Sequence, residues 1–238
     1  MRYIRIAGEV LRKMARKKHL KRSKTKRRVQ LYTRMGVSVL IVCMAILGIM
    51  KFLHIGPLDN GYMEITGNEI DAVKPDMNVQ LLTVNEYSRP GTKTERINGI
   101  VIHYTANPGS TAMQNRNYFE GLKDSHITKA SSHFIVGLDG EIVQCIPTWE
   151  EAYASNDRNP DTVSIETCHP NEDGKYTQAT YKSMVQLTAW LCKKFDLTEK
   201  DVIRHYDITG KICPKYFVED EAAWEKFRED VKIVLAKI

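Results

Sequence analysis

A chain of 238 residues with 42% hydrophobic and 27% charged side chains has the material for one sizeable core plus an appendage. Its net charge of +6 is unevenly spread: residues 1–34 carry 14 Lys/Arg against one acid, Glu9, which leaves the remainder at about −7. The basic charge thus belongs to the first segment alone, which argues against a fold built to grip nucleic acid, and no nucleic-acid partner is expected.

After this basic segment, residues 35–50 read MGVSVLIVCMAILGIM without a charge, and Phe52, Leu53 and Ile55 extend the run past Lys51. A bilayer core needs ~20 mostly apolar residues and a terminal lysine can snorkel to the interface, so residues 35–55 are predicted to span a membrane. The basic flank marks the cytoplasmic side and places everything after residue 55 outside the cytoplasm. The positive segment is long for a cleavable signal peptide, and HIGPLDNG offers no small-x-small site, so an uncleaved signal anchor is expected. Residues 56–88, with scattered Gly and Pro and short apolar clusters, are expected to form a stalk or linker. From about residue 89 to 238 the pattern becomes that of one folded domain.

Within that domain, INGIVIHYTA (97–106) predicts a buried strand with His103 near its end. Ser110 is expected to cap a helix over 111–122. In SSHFIVGLDGEIVQCIP (131–147), Asp139-Gly140 between two β-rich runs predicts a hairpin. TVSIETC (162–168) predicts a short strand in which Glu166 is the lone charge. Apolar residues at helical spacing predict a helix over 177–195, and an amphipathic pattern predicts a last one from Glu221 to Leu235. Strands alternating with helices imply an α/β fold, a mixed central β-sheet flanked by helices. Cys145, Cys168 and Cys192 sit on apolar elements with no recognisable pair spacing, and no disulfide is expected.

The stretch RHYDITGKICPKYF gathers His205, Lys211 and Cys213 within nine residues. A catalytic zinc site takes three protein ligands and keeps a fourth position open, and His103, His205 and Cys213 could supply the three. Spacing alone is weak support, because a lone strand histidine is more often a packing residue.

The stretches IVIHYTA, SSHFIVGLDGEIVQCIP, VSIE and RHYDITGKICP, in that order, resemble the zinc-dependent N-acetylmuramoyl-L-alanine amidases, the family shared with peptidoglycan recognition proteins. The resemblance implies zinc held by His103, His205 and Cys213, with Glu166 and Lys211 as catalytic residues. It implies hydrolysis of the muramoyl-alanine amide of peptidoglycan or muropeptide, and hence a domain facing the wall from a bacterial cytoplasmic membrane. Glu166 suits a general base and Lys211 a stabiliser of the developing oxyanion. Tyr153, Asn156 and Arg158, in the Asn- and Asp-rich stretch 152–164, are expected to contact sugar or peptide.

Two departures stand out. Ser132 occupies the place where some relatives carry a catalytic tyrosine, which favours the glutamate-type arrangement. Ala152-Tyr153 stands where many have Trp-His. His133 has no ligand role in the family pattern and is expected to support or pack. The alternative reading is a recognition module that binds peptidoglycan without cutting it, and a membrane scaffold acting through its basic tail is a third. Oligomeric state is open from sequence.

Overall fold

Short apolar runs in the strands, buried on both faces, and strong caps on the helices account for most of the elements in the computed structural model, which describes residues 30–46 and 65–238. The chain divides into two units, Met1–Gly61 and Tyr62–Ile238. In the first, residues 30–46 form helix α1, and every side chain on it is exposed. Among the described residues no helix is long and apolar enough to cross a membrane. Residues 47–55 of the expected span lie outside the described residues, as do residues 1–29 and 56–64.

The second unit is built on a six-stranded sheet of order β1-β4-β3-β5-β2-β6. Its strands are β1 Asn78–Val79, β2 Gly99–Tyr104, β3 Phe134–Val136, β4 Ile142–Gln144, β5 Thr162–Thr167 and β6 Val202–Arg204. All pairings are parallel except β3 with β4, the hairpin that Asp139-Gly140 closes. Gly140 sits at φ +82, where a side chain would also meet Ala179 O and Ser183 Oγ at 2.8 Å. The sheet is therefore mixed and covered by helices, as the alternation of elements predicts.

Helix α2 spans Ala112–Ser125, α3 Gln178–Phe195, α4 His205–Thr209, α5 Lys215–Glu219 and α6 Glu221–Leu235. The cap of α2 is Thr111, whose hydroxyl accepts from Gln114 N while the Gln114 side chain accepts from Thr111 N. The expected cap, Ser110, lies one residue outside and donates to Asn107 O at 2.6 Å. Caps at Thr177 and Asp220 start α3 and α6 where periodicity places them.

Burial follows the pleat. Ile100, Ile102, Phe134, Val136, Val163 and Ile165 join α3 and α6 in the larger core, while Ile135 and Val143 face the other way toward Phe119 and Leu122 of α2. Phe217 of α5 is fully buried among Tyr176, Trp224 and Phe227, which ties the segment after Cys213 to the larger core.

Residues 65–88, expected as stalk, are folded into this unit from Ile65 onward. Strand β1 extends the sheet beside β4, and Ile70 and Leu82 are buried. The buried Asp230 carboxylate of α6 accepts from Gly67 N at 2.7 Å, Tyr181 Oη at 2.6 Å and Lys226 Nζ at 2.7 Å. Arg89 forks onto Glu150 at 2.7 and 2.8 Å and donates to Leu82 O, closing the segment against the loop after β4. Short apolar clusters conceal such a segment from a periodicity reading, because its anchors are long-range polar contacts.

Candidate active site and metal centre

Strand register assembles the site. Glu166 of β5 pairs with His103 of β2 and with Ile135 of β3, so the three share one level and one face of the sheet. Arg204 pairs with Ile102, so the next residue, His205, enters α4 at the level of His103. The level lies near the carboxyl ends of parallel strands, where α/β sheets open crevices for ligands. The loop after α4 then returns, and Tyr206 N donates to Cys213 O at 2.9 Å, drawing the thiol toward the two imidazoles.

The ligand atoms of His103, His205 and Cys213 all lie within 4.8 Å of one another, and all three residues are buried. Cys213 Sγ is 3.8 Å from His103 Nδ1, and the two imidazole centroids are 4.7 Å apart. Donors bound tetrahedrally to one zinc stand roughly 3.3–3.8 Å apart, so the set fits zinc with small side-chain adjustments. The outer ring nitrogens also have partners: His103 Nε2 is 3.3 Å from Ser155 Oγ, and His205 Nε2 is 3.0 Å from Asn156 Oδ1. Such partners orient ligating histidines.

Electrostatics agree with this donor set. Burial, then the neighbouring His205 and Lys211, hold His103 well below the ordinary imidazole range. Burial also lowers His205. Burial and the Glu166 carboxylate push the Cys213 thiol up to about 12. Two neutral imidazoles and a thiol that needs a cation to ionise form a donor set suited to a dication.

Glu166 is half-buried, but its Oε2 is enclosed and has no hydrogen-bond partner among the described residues. Burial raises this carboxyl to about 8, with Lys211 pulling in the opposite direction. A cleft of about 340 Å³ brings together His103, Glu166, His205, Lys211 and Cys213, with Tyr153 and Asn156 also on its wall. Arg158 does not line it. Its guanidinium forks onto Asp161 at 2.8 and 3.0 Å instead, because residues three apart in the 3-10 helix Asn156–Asp161 lie one above the other.

His133 is not one of the three clustered donors. Its Nδ1 accepts from Ser164 N at 3.0 Å and its Nε2 donates to Glu150 O at 2.8 Å. Burial lowers it to about 4, so it stays neutral and joins the β3 end to the loop after β4. Ser132 is likewise internal, bonded to Phe134 O and Ser164 O. Phe119, Tyr104, Lys129 and Ser155 are site neighbours that sequence reasoning did not single out. A lone serine in a polar loop carries no signal of its own, whereas the IHYT run could have flagged Tyr104.

The model of the N-acetylmuramoyl-L-alanine amidase family matches residues 93–216, which contain every one of these cleft residues. The chain belongs to this amidase family. It is 38% identical over 165 residues to N-acetylmuramoyl-L-alanine amidase CwlL of Bacillus licheniformis, covering 64% of this chain and 45% of that one. N-acetylmuramoyl-L-alanine amidase BlyA of Bacillus subtilis (strain 168) is 33% identical over 172 residues, covering 63% and 45%. The chain thus spans less than half the length of these curated amidases. Among solved structures, PlyL superposes with a TM-score of 0.58 at 22% identity, over 66% of this chain and 98% of that one. The catalytic domain of XlyA gives 0.55 at 26% identity, over 65% and 99%. The amidase fold is therefore carried by the second unit.

Proposed function

We propose that this chain hydrolyses the amide bond between N-acetylmuramic acid and L-alanine in bacterial peptidoglycan, with zinc as its cofactor. The carrying observation is the convergence of three side chains able to hold a metal, an enclosed carboxyl and a lysine in one cleft of an amidase-family domain. When bound, zinc would polarise the scissile carbonyl and acidify a water. His103, His205 and Cys213 would hold it, with Ser155 and Asn156 fixing the two rings.

Glu166 would take a proton from the attacking water and return it to the departing amine of alanine. Burial raises this carboxyl and a bound dication beside it would draw it back down, the opposing pulls that let one group both take and return a proton. Lys211, exposed at its tip, would set positive charge beside the developing oxyanion. Tyr153 is suited to contact the substrate along the cleft wall, while Asn156 is committed to His205.

Purified full-length protein is expected to hold about one zinc per chain and to release peptides beginning with a free L-alanine amine, identified by mass spectrometry. A protein that binds zinc and muropeptide without cutting would instead be a recognition module.

We further propose that residues 35–55 anchor the protein in the cytoplasmic membrane with the amidase domain outside. The uncharged run, its basic flank and the wholly exposed apolar surface of α1, with Leu40 61% exposed, support this. Protease added to wall-stripped intact cells should remove the domain; protection would reverse the topology.

A further inference from the structure

Lys129 stands in the wall of the same cleft, and the chemistry above does not use it. Its Nζ lies 5.9 Å from the ring centre of Tyr87 and 5.7 Å from that of Tyr153, so two aromatic rings flank the ammonium. The backbone is stitched to the same two residues. Ala130 N donates to Tyr87 O at 3.1 Å, Ser131 N donates to Tyr153 O at 3.0 Å, and Tyr153 N donates to Ser131 Oγ at 2.9 Å. Tyr87 in turn stacks on His126 at 4.2 Å.

Among the described residues the ammonium has one acidic partner, Glu86, at 2.9 Å, whose side chain is 72% exposed. Three N–H donors serve Lys129, so a single exposed carboxylate leaves capacity for another. Exposed pairs of this kind are weak and exchange readily. Lys129 itself lies within the family-matched residues 93–216, but Glu86 and Tyr87, which flank its ammonium, precede them. The other cleft lysine acts elsewhere: the charge of Lys211 bears on His103, Glu166 and His205.

We propose that Lys129, set between Tyr87 and Tyr153, is a carboxylate subsite for the stem peptide, and that Glu86 is its resident counter-ion until substrate displaces it. This rests on the amidase reading. The stem's second residue is joined through its side-chain carboxyl, which leaves its α-carboxylate as the first ionised group beyond the scissile bond. An ammonium on the cleft wall has the charge to pair with that group.

The test compares two muramoyl peptides identical except that this α-carboxyl is an acid in one and a carboxamide in the other. Wild type should favour the acid in kcat/KM by roughly tenfold, the worth of one charge-assisted hydrogen bond, mainly through KM. Lys129→Met should bring the ratio to about one, Lys129→Arg should restore a preference, and Glu86→Gln should widen it. A wild-type ratio near one, or an unchanged ratio in Lys129→Met with both peptides still cut, overturns the subsite and leaves the amidase reading standing. If wild type cuts neither peptide, the amidase reading itself falls and takes the subsite with it.

Discussion

Replacing Cys213 with alanine is expected to lower zinc affinity by more than about 100-fold and to abolish hydrolysis with it. Losing a mere outer partner of a ligand costs 10–100-fold, and Cys213 is the only anionic donor the set can offer. The two histidines alone would leave a dication with neutral nitrogens in a cleft whose burial already disfavours charge. Removing the thiol should leave the fold intact, because Phe217, four residues on, keeps its buried aromatic contacts without it. Metal content after dialysis, measured beside the circular dichroism spectrum, decides the matter. A folded Cys213→Ala protein that kept zinc at wild-type affinity would remove Cys213 from the ligand set.

Glu166→Gln is expected to behave in the opposite way, keeping zinc while kcat falls on the order of 10³-fold, the usual worth of a positioned acid-base group. The amide preserves shape beside His103 but cannot accept and return a proton. The same substitution carries a stability signature in the metal-free protein. Burial raises the folded-state pKa from the ordinary 4.5 to about 8, so the folded state binds this proton more tightly than the unfolded state does. The site therefore favours folding at low pH and costs stability as pH rises from 4.5 through about 8. Glu166→Gln should remove that loss, making the metal-free variant more stable than wild type above pH 8 by at most about 5 kcal/mol. Urea unfolding at pH 4 and pH 9 reads the difference. Equal pH dependence in both proteins would show that the carboxyl is solvated, and a full kcat in the variant would end its acid-base role.

The elements most legible in the sequence are those whose cause is local. The strand ending at Tyr104, the Asp139-Gly140 turn and the helix from Glu221 to Leu235 each follow from a period or a turn chemistry contained within a few residues. The candidate ligand set was legible for a different reason. His, His and Cys have a narrow chemistry in common, and the motifs that carry them match a family pattern. Loop side chains are another case. Asn156 and Arg158 have the same polar character in sequence, yet one reaches His205, 49 residues away, and the other folds back on Asp161.

By itself, then, the amino-acid sequence determined the succession of strands and helices, the hairpin and the candidate metal donors, because periodicity, turn preference and donor chemistry are properties of short segments. The tertiary structure alone decided that Glu166 stands beside His103, that residues 65–88 close the sheet edge, and that Glu86 and Tyr87 meet Lys129. Those facts depend on strand register and on contacts between residues dozens of positions apart, where a one-residue slip turns every side chain to the opposite face.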